Sequence, residues 1–196
     1  VLAHFYQEFD DQSAGICEEL TFRILQCPAC ETAYFQKEYW CDGSGMDDAE
    51  ITQWPPPAKR PRPDWISHFS ISDTTLVRIL REVYDALDAD LSILTAIGIR
   101  TAFDRAAELL KIPDGPFATK LDALVTKGAI GTDERRHLDA LVDAGSAAAH
   151  RGWIPDERQL TTMMDIIENF LYRSFVLPSQ SKSLQAGVPP RGPRRT

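Results

Sequence analysis

The segment GSAAAHRGW, Gly145 to Trp153, delivers a single histidine, His150, after a run of five small residues. Imidazole is the side chain that moves protons most readily near neutral pH, and Arg151 beside it can hold an anion. Ser146 precedes His150 by four residues, one helical turn, so the two are candidates for a serine–histidine nucleophile pair. Hydrolase chemistry is nevertheless disfavoured. A serine and a histidine at this spacing on one helix seldom aim the hydroxyl at the ring, and no G-x-S-x-G turn is present to build an oxyanion hole. The plainer role for His150 is a helix-end cation that complements the helix dipole, worth roughly 0.3–1 kcal/mol, and Arg151 would serve the same way.

A second constellation lies near the start. Cys27-Pro28-Ala29-Cys30 has the strand-turn-strand spacing of a zinc-ribbon knuckle, in which a turn points two thiolates at one metal. A closed structural zinc site needs four ligands, and Cys17, Cys41 and His4 are the remaining candidates nearby. Two free cysteines in a turn is the competing reading. A redox C-x-x-C fits less well, because it normally opens a helix.

These residues need elements to position them. Residues 1–41 read as a β module: VLAHFY is β-rich, Glu18–Cys27 alternates, and TAYFQKEYW is aromatic. Residues 42–63 read as an acidic, then proline-rich linker, whose Lys59, Arg60 and Arg62 are candidate phosphate contacts. Residues 64–178 read as an antiparallel bundle of about five helices. Asp73, Asp90, Thr132 and Asp156 are expected as caps, and Pro116 in a first turn. Leu138, Leu141, Val142, Gly145 and Ala149 are expected on the packed face of the fourth helix. Pro178 is expected to end the last helix, leaving residues 179–196 as a disordered basic tail. The fold class is therefore α+β, mainly α.

Composition bounds the function. The 196 residues are 43% hydrophobic, enough for a core, and the net charge of −8 argues against indiscriminate grip on nucleic acid. No apolar run approaches the roughly 20 residues of a membrane helix. The opening VLAHFYQEF has no export signal and no initiator methionine, which reads as an excised piece of a cytoplasmic protein.

The order of knuckle, proline linker and helical bundle resembles domain-of-unknown-function family 4145, a bacterial group related to the HEPN helical domains. IGIRTAFDRAAELL is similar to that family's arginine followed four residues later by an acid, here Arg100 and Asp104. GSAAAHRG is similar to its G-N-x-A-A-H, and FLYRSF to its aromatic last helix. The resemblance implies a zinc-ribbon-like segment followed by a HEPN-like bundle. It also implies a homodimer and a setting in bacterial defence or regulation. Many HEPN domains are metal-independent ribonucleases, with four to six residues between an arginine and a following histidine. Those positions here are Gly145, Ala144 and Asp143, none of them basic. The resemblance therefore implies a non-catalytic module for a protein or RNA partner. The alternative is a ribonuclease in which His150 acts with Arg100 and Asp104, while Arg151 and Ser146 contact the ligand. On this reading the small residues let the second and fourth helices close, bringing Arg100 and Asp104 toward His150.

Overall fold

The computed structural model describes residues 1–11, 16–28, 31–41, 49–67 and 73–189, which form a mainly helical α+β fold. It divides into two units, Val1–Lys59 and Arg60–Thr196. The first is a four-stranded antiparallel sheet in sequence order: β1 (Ala3–Asp11), β2 (Ile16–Gln26), β3 (Ala33–Cys41) and β4 (Glu50–Trp54). Because side chains alternate along a strand, register decides the faces. Phe5 stands opposite Phe22, Ile24 opposite Phe35, and Phe35 opposite Trp54, which gathers apolar residues on one face. Tyr6, Thr21, Glu38 and Ile51 are in register on the other.

Strand β4 corrects the expected linker. Glu50-Ile-Thr-Gln-Trp54 is too short to announce itself between an acidic run and three prolines, yet pairing with β3 satisfies its backbone groups. Residues 42–48 lie outside the described residues.

The second unit begins with a short helix, α1 (Asp64–Ser67), and continues through α2 (Thr74–Asp88), α3 (Ser92–Leu109), α4 (Phe117–Thr126), α5 (Thr132–His150) and α6 (Glu157–Leu171). A π turn (Tyr172–Val176) then leads into α7 (Leu177–Gly187). Two expected caps are in place. Asp73 accepts from the Leu76 N–H at 2.7 Å. Asp156 accepts from the Gln159 N–H at 2.7 Å while Gln159 accepts from the Asp156 N–H at 2.8 Å, a reciprocal capping box.

Three expected boundaries differ. Asp90 turns the chain at φ 60°, a left-handed conformation that aspartate tolerates, and Leu91 takes the cap position of α3. Gly131 rather than Thr132 caps α5, its N–H donating to Glu134. The helix does not end at Pro178. Proline is accommodated in a first helical turn, where no intrahelical N–H is required, and Pro178 opens α7. The tail expected from residue 179 is therefore helical to Gly187, and residues 190–196 lie outside the described residues.

The core is centred on α3, which packs against α2, α5 and α6. Its buried face is rich in small residues, with Ala96, Ala102, Ala106 and Ala107 beside Ile99 and Phe103. Phe103 reaches Phe170 at 5.6 Å and Phe117 at 6.2 Å between ring centroids. Each such aromatic or aliphatic side chain contributes about 1.5–3 kcal/mol when fully buried. The packed face of α5 is Leu138, Leu141, Val142, Gly145 and Ala148, so Ala148 replaces the expected Ala149. No helix among the described residues is long and apolar enough to cross a membrane.

Candidate functional site

Gly145 marks the closest approach of α5 to α3. A Cβ at this position would lie 2.6 Å from Arg100 Cβ and 3.1 Å from the Ala96 carbonyl oxygen. Glycine is thus required here by lack of space. The stem of Arg100 fills the crossing, with Cδ also 3.1 Å from that point. Its guanidinium then stacks on Phe117 at the start of α4, with Cζ 4.6 Å from the ring centroid. Lys120 Nζ lies 5.6 Å from the same centroid.

Lys120 is buried, and its ammonium donates to Asp104 and stands 3.5 Å from Asp114. The hydrogen bond to Asp104 raises the Lys120 pKa above its ordinary value against the opposing effect of burial. Arg100 Nε is buried with no hydrogen-bond partner. The structure therefore joins Arg100, Asp104, Phe117 and Lys120 into one cluster. Arg100 and Asp104 do not pair with each other, despite a spacing that permits it.

His150 stands outside that cluster. Lys127 of the α4 C-cap reaches the Leu110 carbonyl at the end of α3, and α5 starts from that end. The later Gly145–Arg100 contact means that α5 runs antiparallel to α3. Each residue beyond Gly145 thus moves away from Asp104. His150 lies five residues on, about 7.5 Å of helical rise, and is exposed in the last turn. The expected grouping of His150, Arg100 and Asp104 does not assemble. The small residues do bring α3 and α5 together, but at the level of Arg100 and Ala96. No hydrogen bond joins Ser146 to His150 among the described residues.

Arg151 has another engagement. It folds back along α5, and its NH2 group donates to the Asp143 carboxylate at 2.7 Å and to the Asp143 carbonyl at 3.0 Å. Gly152, at φ 66°, allows the chain to turn there, and the Trp153 N–H donates to the Ala147 carbonyl at 3.3 Å. A groove of about 460 Å³ results, lined by Ala140, Asp143, Ala144, Ala147, Arg151 and Trp153. Trp153 is half-buried and Ile154 is exposed.

The candidate phosphate contacts at the linker's end behave differently. Lys59 is exposed. Arg60 donates twice to Glu168, both at 2.7 Å, and to Asp165 at 2.6 Å. The buried Tyr84 hydroxyl donates to the same Glu168. Burial and that carboxylate push the Tyr84 phenol well above its usual value. Arg62 donates to Asp85 at 2.5 Å and lies over the Tyr84 ring, 5.8 Å from its centroid. These arginines bind carboxylates of α2 and α6 and so belong to the helical unit. Sequence reading missed this because the partners lie 23 to 108 residues away. It missed Phe117 and Lys120 for the same reason.

Cys17, Cys27 and Cys41 do not converge. Cys27 follows β2 at one end of the sheet, beside Ala33, and Cys41 ends β3 eight residues further along, about 26 Å away. Cys17 lies near the start of β2, also at the far end. One zinc cannot take Cys27 together with Cys41 or Cys17. Cys30 and the Cys17 side chain lie outside the described residues. Among the described residues no group of three or more His, Cys, Asp or Glu side chains is placed to hold a metal.

Comparison with known proteins bears on the helical unit. Residues 81–187, more than half of the chain, match the family described as Domain of unknown function (DUF4145), and the chain belongs to that family. No curated protein and no solved structure matches it.

Proposed function

We propose that this member of the DUF4145 family is a non-catalytic, HEPN-like interaction module of a bacterial cytoplasm. On this reading it works as a homodimer that docks a protein or RNA partner in a defence or regulatory setting. The observation that carries the reading is the commitment of Asp104 to Lys120 and of Arg100 to Phe117. Those contacts leave His150 without the neighbouring groups that acid–base and phosphate chemistry require. Asp143 stands where a phosphate-binding arginine would be needed.

The groove on α5 supports the homodimer. Ala140, Ala144 and Ala147 fall on one helical stripe and permit a close approach. Asp143 and Arg151 lie four residues to either side of Ala147. Two copies of α5 crossing antiparallel at Ala147 would set each Asp143 against the partner's Arg151, the self-complementarity that a two-fold interface needs. If Cys27 and Cys30 share zinc, it belongs to the sheet unit and has no role in this reading.

The test combines mass and activity. Light scattering should give a dimer for the parent chain and a monomer for Ala147→Arg. Labelled RNA incubated with chelator should stay intact with both the parent and His150→Ala. Metal-free cleavage that disappears in His150→Ala would replace this reading with a ribonuclease.

A further inference from the structure

The sheet carries a charge and a surface that the helices' proposed role does not use. Eleven of the chain's 29 acidic residues but only three of its 21 basic ones lie in Val1–Lys59. The sheet unit thus holds the whole net charge of −8, and the helical unit is balanced. On one face the register aligns a row of rings, one from each strand. Phe5 and Phe22 are 5.9 Å apart between centroids, Phe22 and Phe35 are 6.0 Å apart, and Trp54 stands opposite Phe35. Phe5 is 59% exposed, Phe35 42% and Trp54 72%. A groove of about 190 Å³ lies among Ala3, Phe5, Phe22, Ile24 and Phe35. A contiguous apolar surface rimmed by polar residues is the usual mark of a binding face.

Spacing and charge together select the occupant. An extended chain advances about 3.3 Å per residue, so alternate side chains are about 6.6 Å apart, close to the ring spacing. Bases of a single-stranded nucleic acid stack on such rings too, but a polyanion meets eight excess negative charges on this unit. A second copy of the same face would meet the same repulsion. A cationic segment is attracted, and the flat guanidinium of arginine stacks directly on aromatic faces. Lys37, on this face, already holds its ammonium 6.0 Å from the Tyr39 ring centroid. Glu18 and Glu50, opposite Cys41 and Tyr39 in register, lie on the same face, each four residues along its strand from Phe22 and Trp54, about 13 Å from the row.

We propose that the aromatic face of the sheet binds an extended, arginine-bearing polypeptide segment, with alternate side chains seated on Phe5, Phe22, Phe35 and Trp54. The test titrates the full chain into a fluorescein-labelled nonapeptide of alternating arginine and serine and follows anisotropy at low and at high salt. The same peptide with glutamate in place of arginine, and a labelled oligothymidylate, run in parallel. The arginine peptide should bind, and more weakly at high salt, while the glutamate peptide and the oligonucleotide should not. Trp54→Ala and Phe5→Ala should each weaken binding roughly fivefold. They lie on opposite edge strands, so if one variant loses its β-sheet signal the other still decides. Equal binding of the glutamate peptide, tighter binding of the oligonucleotide, or unchanged affinity in a folded variant overturns the proposal. So does a dimer that dissociates on Trp54→Ala, since the face would then dock a second copy. The Ala147→Arg dimer test reads a different unit and fails or succeeds separately.

Discussion

Gly145→Ala should destabilise the helical unit even though alanine is the better helix former. In an exposed helix interior this exchange gains about 1 kcal/mol. At Gly145 the new Cβ would fall 2.6 Å from Arg100 Cβ and 3.1 Å from the Ala96 carbonyl oxygen. Carbon atoms rest about 3.5–4.0 Å apart, so α3 and α5 would have to separate by about 1 Å. Neither obstacle can swing aside, because Arg100 Cβ is fixed to the backbone and the Ala96 carbonyl belongs to the helix. Overpacking of this kind costs about 1–3 kcal/mol. Set against the propensity gain, the net loss should be about 1 kcal/mol, or roughly 2–5 °C in Tm for a unit of this size. Guanidinium denaturation followed by far-UV circular dichroism measures it as a lower midpoint at unchanged slope. Gly187→Ala is the control, since nothing lies within 4 Å of its added Cβ. Arg100→Ala keeps its own Cβ, 2.6 Å from the added one, but removes the Cδ at 3.1 Å, and so relieves only part of the clash. Because the two residues touch, the double variant should cost less than the sum of the two single changes. A Gly145→Ala protein as stable as the parent would refute the close crossing.

Arg60→Gln should cost about 1.5–3 kcal/mol, because it strips a mostly buried Glu168 of a paired charge-assisted hydrogen bond. Arg62→Gln, at a pair 41% and 66% exposed, should cost at most about 1 kcal/mol. A larger loss for Arg62→Gln in chemical denaturation would reverse the ranking of the two arginines' contributions to the helical unit. Asp73 gives a pH dependence. The Arg105 guanidinium, with help from the Leu76 N–H, holds its carboxyl below the usual value. A lowered folded pKa means stability that is complete above the unfolded value, about 3.9, and lost as pH falls through the folded one. Asparagine caps as well as aspartate but cannot pair with Arg105. Asp73→Asn should therefore lower Tm near neutral pH, and the gap to the parent should narrow as pH falls below about 3.9. A gap that stays constant across that range would remove the ion pair from the account.

What could be read from the sequence was local and periodic. Asp73 and Asp156 announce caps because the side chain and the N–H it accepts from are three residues apart. Leu160, Met163, Met164, Ile167, Phe170 and Leu171 repeat with the helix, and all are buried. The misreadings share a different cause. Strand β4 has no pattern long enough to oppose its proline-rich surroundings, and only pairing with β3 makes it a strand. Arg60 and Arg62 look like linker charges until Asp85 and Glu168 are brought alongside by folding. Pro178 reads as a stop, yet it also suits a first turn, and the π turn before it decides between the two.

The candidate site shows the same division between near and far. Arg100 and Asp104 have the right types and the right separation to pair along α3, and from the helix alone that pairing is the natural expectation. Residues of α4 intervene. Phe117 offers Arg100 an aromatic face, and the buried Lys120 ammonium needs a carboxylate more than a guanidinium already stacked on a ring does. Asp104 therefore goes to Lys120, while Arg100 is left with an unpaired buried Nε and a stacked guanidinium. Gly145 completes the arrangement by giving the arginine stem a path between two helices. The run of small residues before His150 thus serves Arg100, at Gly145 five residues before the histidine, and the histidine at its end is carried into solvent as the helix continues. The glycine and the histidine belong to one motif in sequence and to two separate places in the fold.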